Sequence, residues 1–196
     1  LQAKDNWIEL TKGLKIDIDA QKIEVPIKVV NHSGGLEFLV TIGTDKDYES
    51  VFAIKCSAKE LHLAMETVGF KPLGYLKLDQ EDFQFPKEQL SLSIKFKDSF
   101  KPITDYILWN KNKAVEAFPF YFCGSTFRQY GNKKEYAADL DLNVIAAYAS
   151  DSMVIGPLVK VANPYQDENG AYLTPNTNAL PPLNTIGWLL IQKYSP

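Results

Sequence analysis

Between Glu37 and Phe70 the chain reads EFLVTIGTDKDYESVFAIKCSAKELHLAMETVGF. This run limits the possible folds more than any other, because a strand, a charged turn, a second strand and a capped helix follow without a linker. Leu36 to Ile42 is apolar on both faces except for Glu37, the pattern of a strand covered on two sides. Val51 to Lys55 reads as its return partner across the turn from Gly43 to Ser50. Ser57 and Glu60 then make an S-x-x-E capping box, in which each side chain satisfies an otherwise unpaired amide at a helix start. Leu61, Ala64, Met65 and Val68 fall at i, i+3, i+4 and i+7, and Gly69 suits the left-handed residue that ends a helix. The pattern predicts one main helix over about 57–68, lying across a sheet.

The rest of the chain is mostly two-residue alternation. Leu14, Ile16 and Ile18 alternate with Lys15, Asp17 and Asp19, and Ile23, Val25, Ile27 and Val29 share one face of the next strand. Pro26 cannot donate to a ladder, so that strand is expected at an edge or with a bulge. Residues 72–86 read as a loop with one turn of helix near Asp79 to Asp82. Leu90, Leu92, Ile94 and Phe96 form a strand with one wet face, and Tyr106 to Trp109 resembles its partner. Phe118, Phe120 and Phe122 share one side of a further strand, with Pro119 and Tyr121 on the other, closed by the turn Cys123, Gly124, Ser125. Val144 to Tyr148 and Ile186 to Gln192 are the last strands, separated by a long surface loop from Asn163 to Pro182. Many short strands with one strong helix indicate an α+β, mainly β domain: an antiparallel sandwich or partly open barrel, one domain over 1–196, with a boundary near 74–87 as the less favoured division.

At 196 residues and 45% hydrophobic, the chain can bury a full core without metals or a disulfide framework. Its 21 basic and 24 acidic residues are interspersed, and no basic block neutralises a run of phosphates, which argues against nucleic-acid binding. No run approaches the roughly 20 apolar residues that a membrane-spanning helix needs. Cys56 and Cys123 lack CxxC spacing and are too few for a four-thiolate centre; they are read as small core residues or as a single bridge.

The ordered pieces GTDKDYES, SAKELHLAMETVGFKPLG, FYFCGSTF, YAADLDLNVIA and PPLNTIGWLLI together resemble the YdjY-domain family, from about Gly13 to the end. The resemblance implies an extracytoplasmic setting, periplasmic, cell-envelope or secreted, and names no reaction. The chain departs from the family's usual pattern by an extra residue in the first turn, Asp45 before Lys46. It also has Tyr48 where histidine is usual and Asn184 where glycine is usual, so no role resting on that histidine carries over.

Chemistry-bearing residues concentrate in the turn before the second strand. Lys46, Asp47, Tyr48, Glu49 and Ser50 form one candidate ligand-binding group: Glu49 or Asp47 to accept bonds from hydroxyl or amine groups, Lys46 to hold a carboxylate, Tyr48 to offer a flat face. The plainer alternative is a solvated hairpin tip. Gly124 and Ser125 are expected to lie close to this turn, since the resemblance picks out both. Asp45, Asp47 and Glu49 alternate in a manner that can wrap a hard cation but lack the full calcium-loop pattern. With His32 and His62 as the only histidines, and no G-x-S-x-G elbow, neither a metal centre nor a serine or cysteine triad is expected, and no cofactor is. Trp109, Tyr121, Tyr130, Tyr136, Tyr148, Tyr165, Tyr172 and Trp188 make either a stacking surface or, more simply, a β core and its rim. The reading is a non-enzymatic binding domain for a small molecule, glycan or protein. The alternative is a hydrolase or other enzyme using Glu49 or Asp47 as acid or base.

Overall fold

The computed structural model describes residues 6–43, 45–74, 86–116 and 118–195. The helical turn expected near Asp79 and most of the boundary considered near 74–87 fall outside them. In chain order the strands are β1 (Ile8–Thr11), β2 (Leu14–Asp17), β3 (Lys22–Val29), β4 (Phe38–Ile42), β5 (Ser50–Ile54), β6 (Leu90–Phe96), β7 (Ser99–Pro102) and β8 (Ile107–Trp109). They continue as β9 (Lys113–Ala114), β10 (Phe120–Phe122), β11 (Phe127–Tyr130), β12 (Lys133–Tyr136), β13 (Asn143–Ala146), β14 (Ile155–Pro157), β15 (Leu173–Pro175) and β16 (Ile186–Lys193). The helices are α1 (Ala58–Thr67) and α2 (Ala137–Asp141).

Eight strands close on themselves in the order β3-β16-β6-β10-β14-β13-β4-β5, with β5 returning to β3 through Ile27↔Ile54 and Val29↔Phe52. The mainly β reading holds, and the sheet is a closed barrel with β1 and β2 added beside β3 and β7 beside β6. Register carries one apolar face around the ring: Val25 opposes Leu189, Leu189 opposes Ile94, Leu90 opposes Phe120, Phe122 opposes Ile155 and Val40 lies beside Phe52. All of these side chains are buried, so the interior is a packed core. On β10 the opposite face carries Tyr121, which joins Cys123, Ala146, Met153 and Leu158 in a second, outer apolar cluster.

Strand direction is the main correction. β4 and β5 are parallel, Phe38 beside Ser50 and Ile42 beside Ile54, not the antiparallel hairpin expected, and β13 and β14 are parallel too. Parallel neighbours usually need a connection of about a dozen residues or more. Here only seven residues of sequence separate Ile42 from Ser50, and the last three form a 3-10 turn at Asp47–Glu49. Both strands are buried on nearly every residue, so side-chain alternation held no information about their direction.

Pro26 lies neither at an edge nor at a bulge. On one side β3 pairs with β2 as far as Glu24 and with β5 from Ile27 onward, so the proline sits where the partner changes and no ladder bond is lost on that side. Strand β2 ends at Asp17, whose buried carboxylate accepts amide bonds from Ala20 and Asn6, while Ile18 is exposed. Strand β6 pairs with β16, β10 and β7, not with Tyr106 to Trp109; that segment pairs with β15 and β9. Leu173 and Leu180, from the stretch read as a surface loop, are buried in the main core, and the Leu173 carbonyl accepts from the Leu36 amide just before β4, at one end of the barrel.

Helix α1 lies at the other end. Gln21, in the β2–β3 turn, donates to the Val68 carbonyl, and His62 packs edge-on to Phe122 at the end of β10. It therefore closes strand ends rather than lying on a sheet face. Its expected caps are present. Ser57 Oγ accepts from the Glu60 amide, Glu60 Oε2 accepts from the Ser57 amide, and Gly69 follows at φ +99° with Gly69 N–H donating to Glu66 and Phe70 N–H to Met65. Cys56 and Cys123 are both buried and unbridged.

Candidate functional site

The crossover from β4 to β5 turns one side chain inward. Glu49 is 5% exposed, and its Oε1 lies 2.9 Å from Lys46 Nζ, which also stands 5.3 Å over the Phe38 ring. The 3-10 turn produces this arrangement, because Lys46 and Glu49 three residues apart fall on one side of it while Tyr48 points out, 61% exposed. Asn31 donates to the Tyr48 carbonyl and the Glu37 amide donates to the Glu49 carbonyl, fixing the turn to its surroundings. Ser50 is fully buried and its hydroxyl donates to the Phe52 carbonyl. The alternating acids do not converge: Asp45 is exposed while Glu49 is buried, and among the described residues no three His, Cys, Asp or Glu side chains gather as a metal set.

Lys46 also lines a polar recess of about 270 Å³ whose walls come from distant parts of the chain. Glu37 and Phe38 stand on one side, Leu140 and Asp141 from the end of α2 on another, and Asn143, Tyr148, Ser150, Asp151 and Ser152 from β13 and the turn after it complete it. Glu37 Oε1 accepts from Asn163 Nδ2 at 2.8 Å and from the Tyr148 hydroxyl at 3.3 Å. Arg128 bridges Asp141 at 2.8 Å and Asp151 at 3.0 Å. Asn143 donates to both Ser150 Oγ and Ser152 Oγ, while its buried Oδ1 has no hydrogen-bond partner among the described residues.

The electrostatics follow from these contacts. Lys46 is held above the usual ammonium range, first by its bond to Glu49 and further by the nearby Glu37 charge. Tyr148 is pushed upward by burial, then by the Glu37 carboxylate. Its phenol stays protonated and serves as a donor to Glu37. Arg128 is raised by its bond to Asp141. Each cation near the recess is thus already engaged by a carboxylate.

Gly124 and Ser125 are not among the lining residues of this recess. Gly124, at φ +84°, packs against Pro72 and His62 so closely that a Cβ would meet Pro72 at 2.4 Å, and its carbonyl accepts from Tyr136. Ser125 Oγ accepts from the Ala138 amide and so holds the start of α2, whose end forms a wall of the recess. The next residue, Thr126, donates to the Asp151 carbonyl. Of the pair read from the sequence, Ser125 is thus tied to the helix whose end lines the recess, and Gly124 is tied to Tyr136 and Pro72 instead.

Of the group read from the sequence, Lys46 lines the recess and Glu49 lies behind Lys46, while Asp47 is half-buried and Tyr48 faces solvent. Sequence reasoning missed Asn143, Asp141, Asp151, Ser150, Ser152 and Asn163, and placed Tyr148 only among the aromatics. Glu37 did leave a signal, as the one charge in an otherwise apolar strand. Among the aromatics, Tyr121 and Tyr136 are buried while Tyr130 and Tyr165 are more than half exposed, which suits the simpler reading of a β core and its rim rather than one stacking surface.

A family model described as the YdjY domain matches residues 14–191. Comparison with curated proteins and with solved structures returns no match.

Proposed function

This chain belongs to the YdjY domain family, and from that membership and the shape of the recess we propose that it is a non-enzymatic binding domain of the cell envelope, periplasm or exterior. The recess beside the β4–β5 crossover is its ligand site. The observation that carries the reading is the recess itself: a concave polar surface built from four separate parts of the chain, walled by Glu37, Lys46, Asp141 and Asn143. Its volume fits a small molecule or the end of a larger one. The extracytoplasmic setting follows from the family resemblance alone.

The catalytic alternative through Glu49 or Asp47 has less support. Glu49 is buried behind Lys46 and committed to it, so that carboxylate is poorly placed to take or give a proton, and Asp47 is not among the residues that line the recess. Both thiols are buried and held neutral.

The test is a ligand screen by protein-observed NMR, comparing the native protein with Leu140→Trp. Leu140 is 40% exposed at the rim, so the larger ring fills the mouth without entering the core. Binding is expected to move the Asn143, Tyr148 and Lys46 resonances in the native protein and not in the variant. Ligands that bind both proteins equally, or that are turned over, would displace this reading.

A further inference from the structure

The recess carries information about the charge of what it binds. Four carboxylates stand in or directly behind it, Glu37, Glu49, Asp141 and Asp151, against two cations, Lys46 and Arg128. Neither cation is free to greet an anion. Lys46 is 2.9 Å from Glu49, and Arg128 spends its two terminal nitrogens on Asp141 and Asp151. An incoming carboxylate or phosphate would have to break one of these pairs, and would meet two uncompensated negative charges.

A second observation is independent of charge. Asn143 is 2% exposed and lines the recess, yet only one end of its carboxamide is satisfied: Nδ2 donates to Ser150 and Ser152, and Oδ1 has no partner. A buried amide oxygen left in this state costs roughly 1–3 kcal/mol, and folded proteins rarely keep one without a use. The missing partner is a donor. Ser150 and Ser152 accept from the amide, so their own protons remain available to a ligand oxygen.

We propose that the recess takes a ligand presenting hydroxyl donors together with a positive charge, an ammonium-bearing polyol or amino-sugar end group, and discriminates against carboxylates of the same shape. This rests on the recess being the binding site.

Three probes of one ring shape and different charge test it: glucosamine, glucose and glucuronate, titrated into the native protein by NMR. Glucosamine is expected to bind about fivefold or more tighter than glucuronate, with glucose between them. The preference should shrink in high salt and in Glu37→Gln, which keeps an acceptor but removes a charge. Asn143→Asp keeps the acceptor, replaces the amide donor to Ser150 and Ser152 by an oxygen and adds a negative charge, and is expected to strengthen glucosamine relative to glucose and glucuronate. Glucuronate binding best within the recess would overturn the charge assignment while leaving the recess as the binding site. None of the three moving recess resonances would overturn the ligand class, and the ligand screen with Leu140→Trp judges the site separately.

Discussion

The carboxylate of Asp139 accepts a 2.7 Å hydrogen bond from the backbone amide of Ala58, so the short helix α2 caps the start of α1 across 81 residues of sequence. Ser57 and Glu60 satisfy neighbouring amides of the same helix end, and hydrogen bonding to the Ser57 amide draws the Glu60 carboxyl below its ordinary range. The first turn of α1 is thereby held by one local and one tertiary cap. Ser57→Ala should lower stability by about 1 kcal/mol. Asp139→Ala should cost a similar amount and also loosen α2, seen as faster amide exchange at Leu140 and Asp141. Urea unfolding of the two variants gives the first comparison, and exchange in Asp139→Ala without exchange in Ser57→Ala separates the roles.

Gly69 ends α1 at φ +99°, and a Cβ there would meet the Gln21 amide at 2.9 Å. That amide donates to the Val68 carbonyl, so it cannot retreat without losing its bond. Gly69→Ala is expected to destabilise the protein by more than about 1 kcal/mol. Gly34→Ala is the control: φ is +85° but nothing lies within 4 Å of the added carbon, so its cost is backbone strain alone. Equal melting temperatures for the two variants would show that the Gln21 contact contributes nothing.

Removing Lys46 leaves Glu49 as a buried carboxylate without its cation. Since the Lys46 side chain is about a third exposed, the loss in Lys46→Met should be moderate, about 2 kcal/mol rather than the larger figure for a fully buried pair. Adding Glu49→Gln to that variant should recover part of it. If the double variant is no more stable than Lys46→Met alone, the pair does not behave as a unit and the inward turn of the crossover has another cause.

Burial pushes both thiols from an ordinary value of 9.0 up to about 12. In the unfolded chain they ionise near 9, and in the fold only near 12, so above pH 9 the unfolded state loses protons first. Stability is complete below pH 9 and falls as pH rises from 9 towards 12, by about 1.4 kcal/mol per pH unit for each thiol. Cys56→Ser with Cys123→Ala should flatten that alkaline decline, read from chemical unfolding at pH 8, 9 and 10. In the native protein at pH 8, a disulfide reagent should find neither thiol; rapid labelling would contradict their burial.

The legible parts of the fold are those whose signal is local. The α1 caps, its apolar stripe and Gly69 depend on residues within one or two turns of one another, and they appear as read. The alternation in β3 and β6 likewise places Ile23, Val25, Leu92 and Ile94 inward. Partner choice was not legible. Tyr106 to Trp109 read as the partner of β6, but it pairs with β15 and β9, while β6 takes β16 and β10 within the barrel and β7 beside it, pairings that span too much sequence for a local pattern to show.

The same division runs through the site. Sequence alone determined that charge gathers at residues 45–49 beside buried strands, and that Glu37 is an exception in an apolar run, because both facts lie within a few consecutive residues. Tertiary structure decided that Glu49 turns inward to Lys46 and that Tyr48 does not. It also decided that Asn143 and Asp151 share a recess with residues a hundred positions earlier. The physical reason is that β4 and β5 are apolar on both faces, and such strands pair in either direction with no change in local pattern. The direction they take, settled by closure of the eight-strand ring, sets which side of the crossover faces the barrel and which faces water.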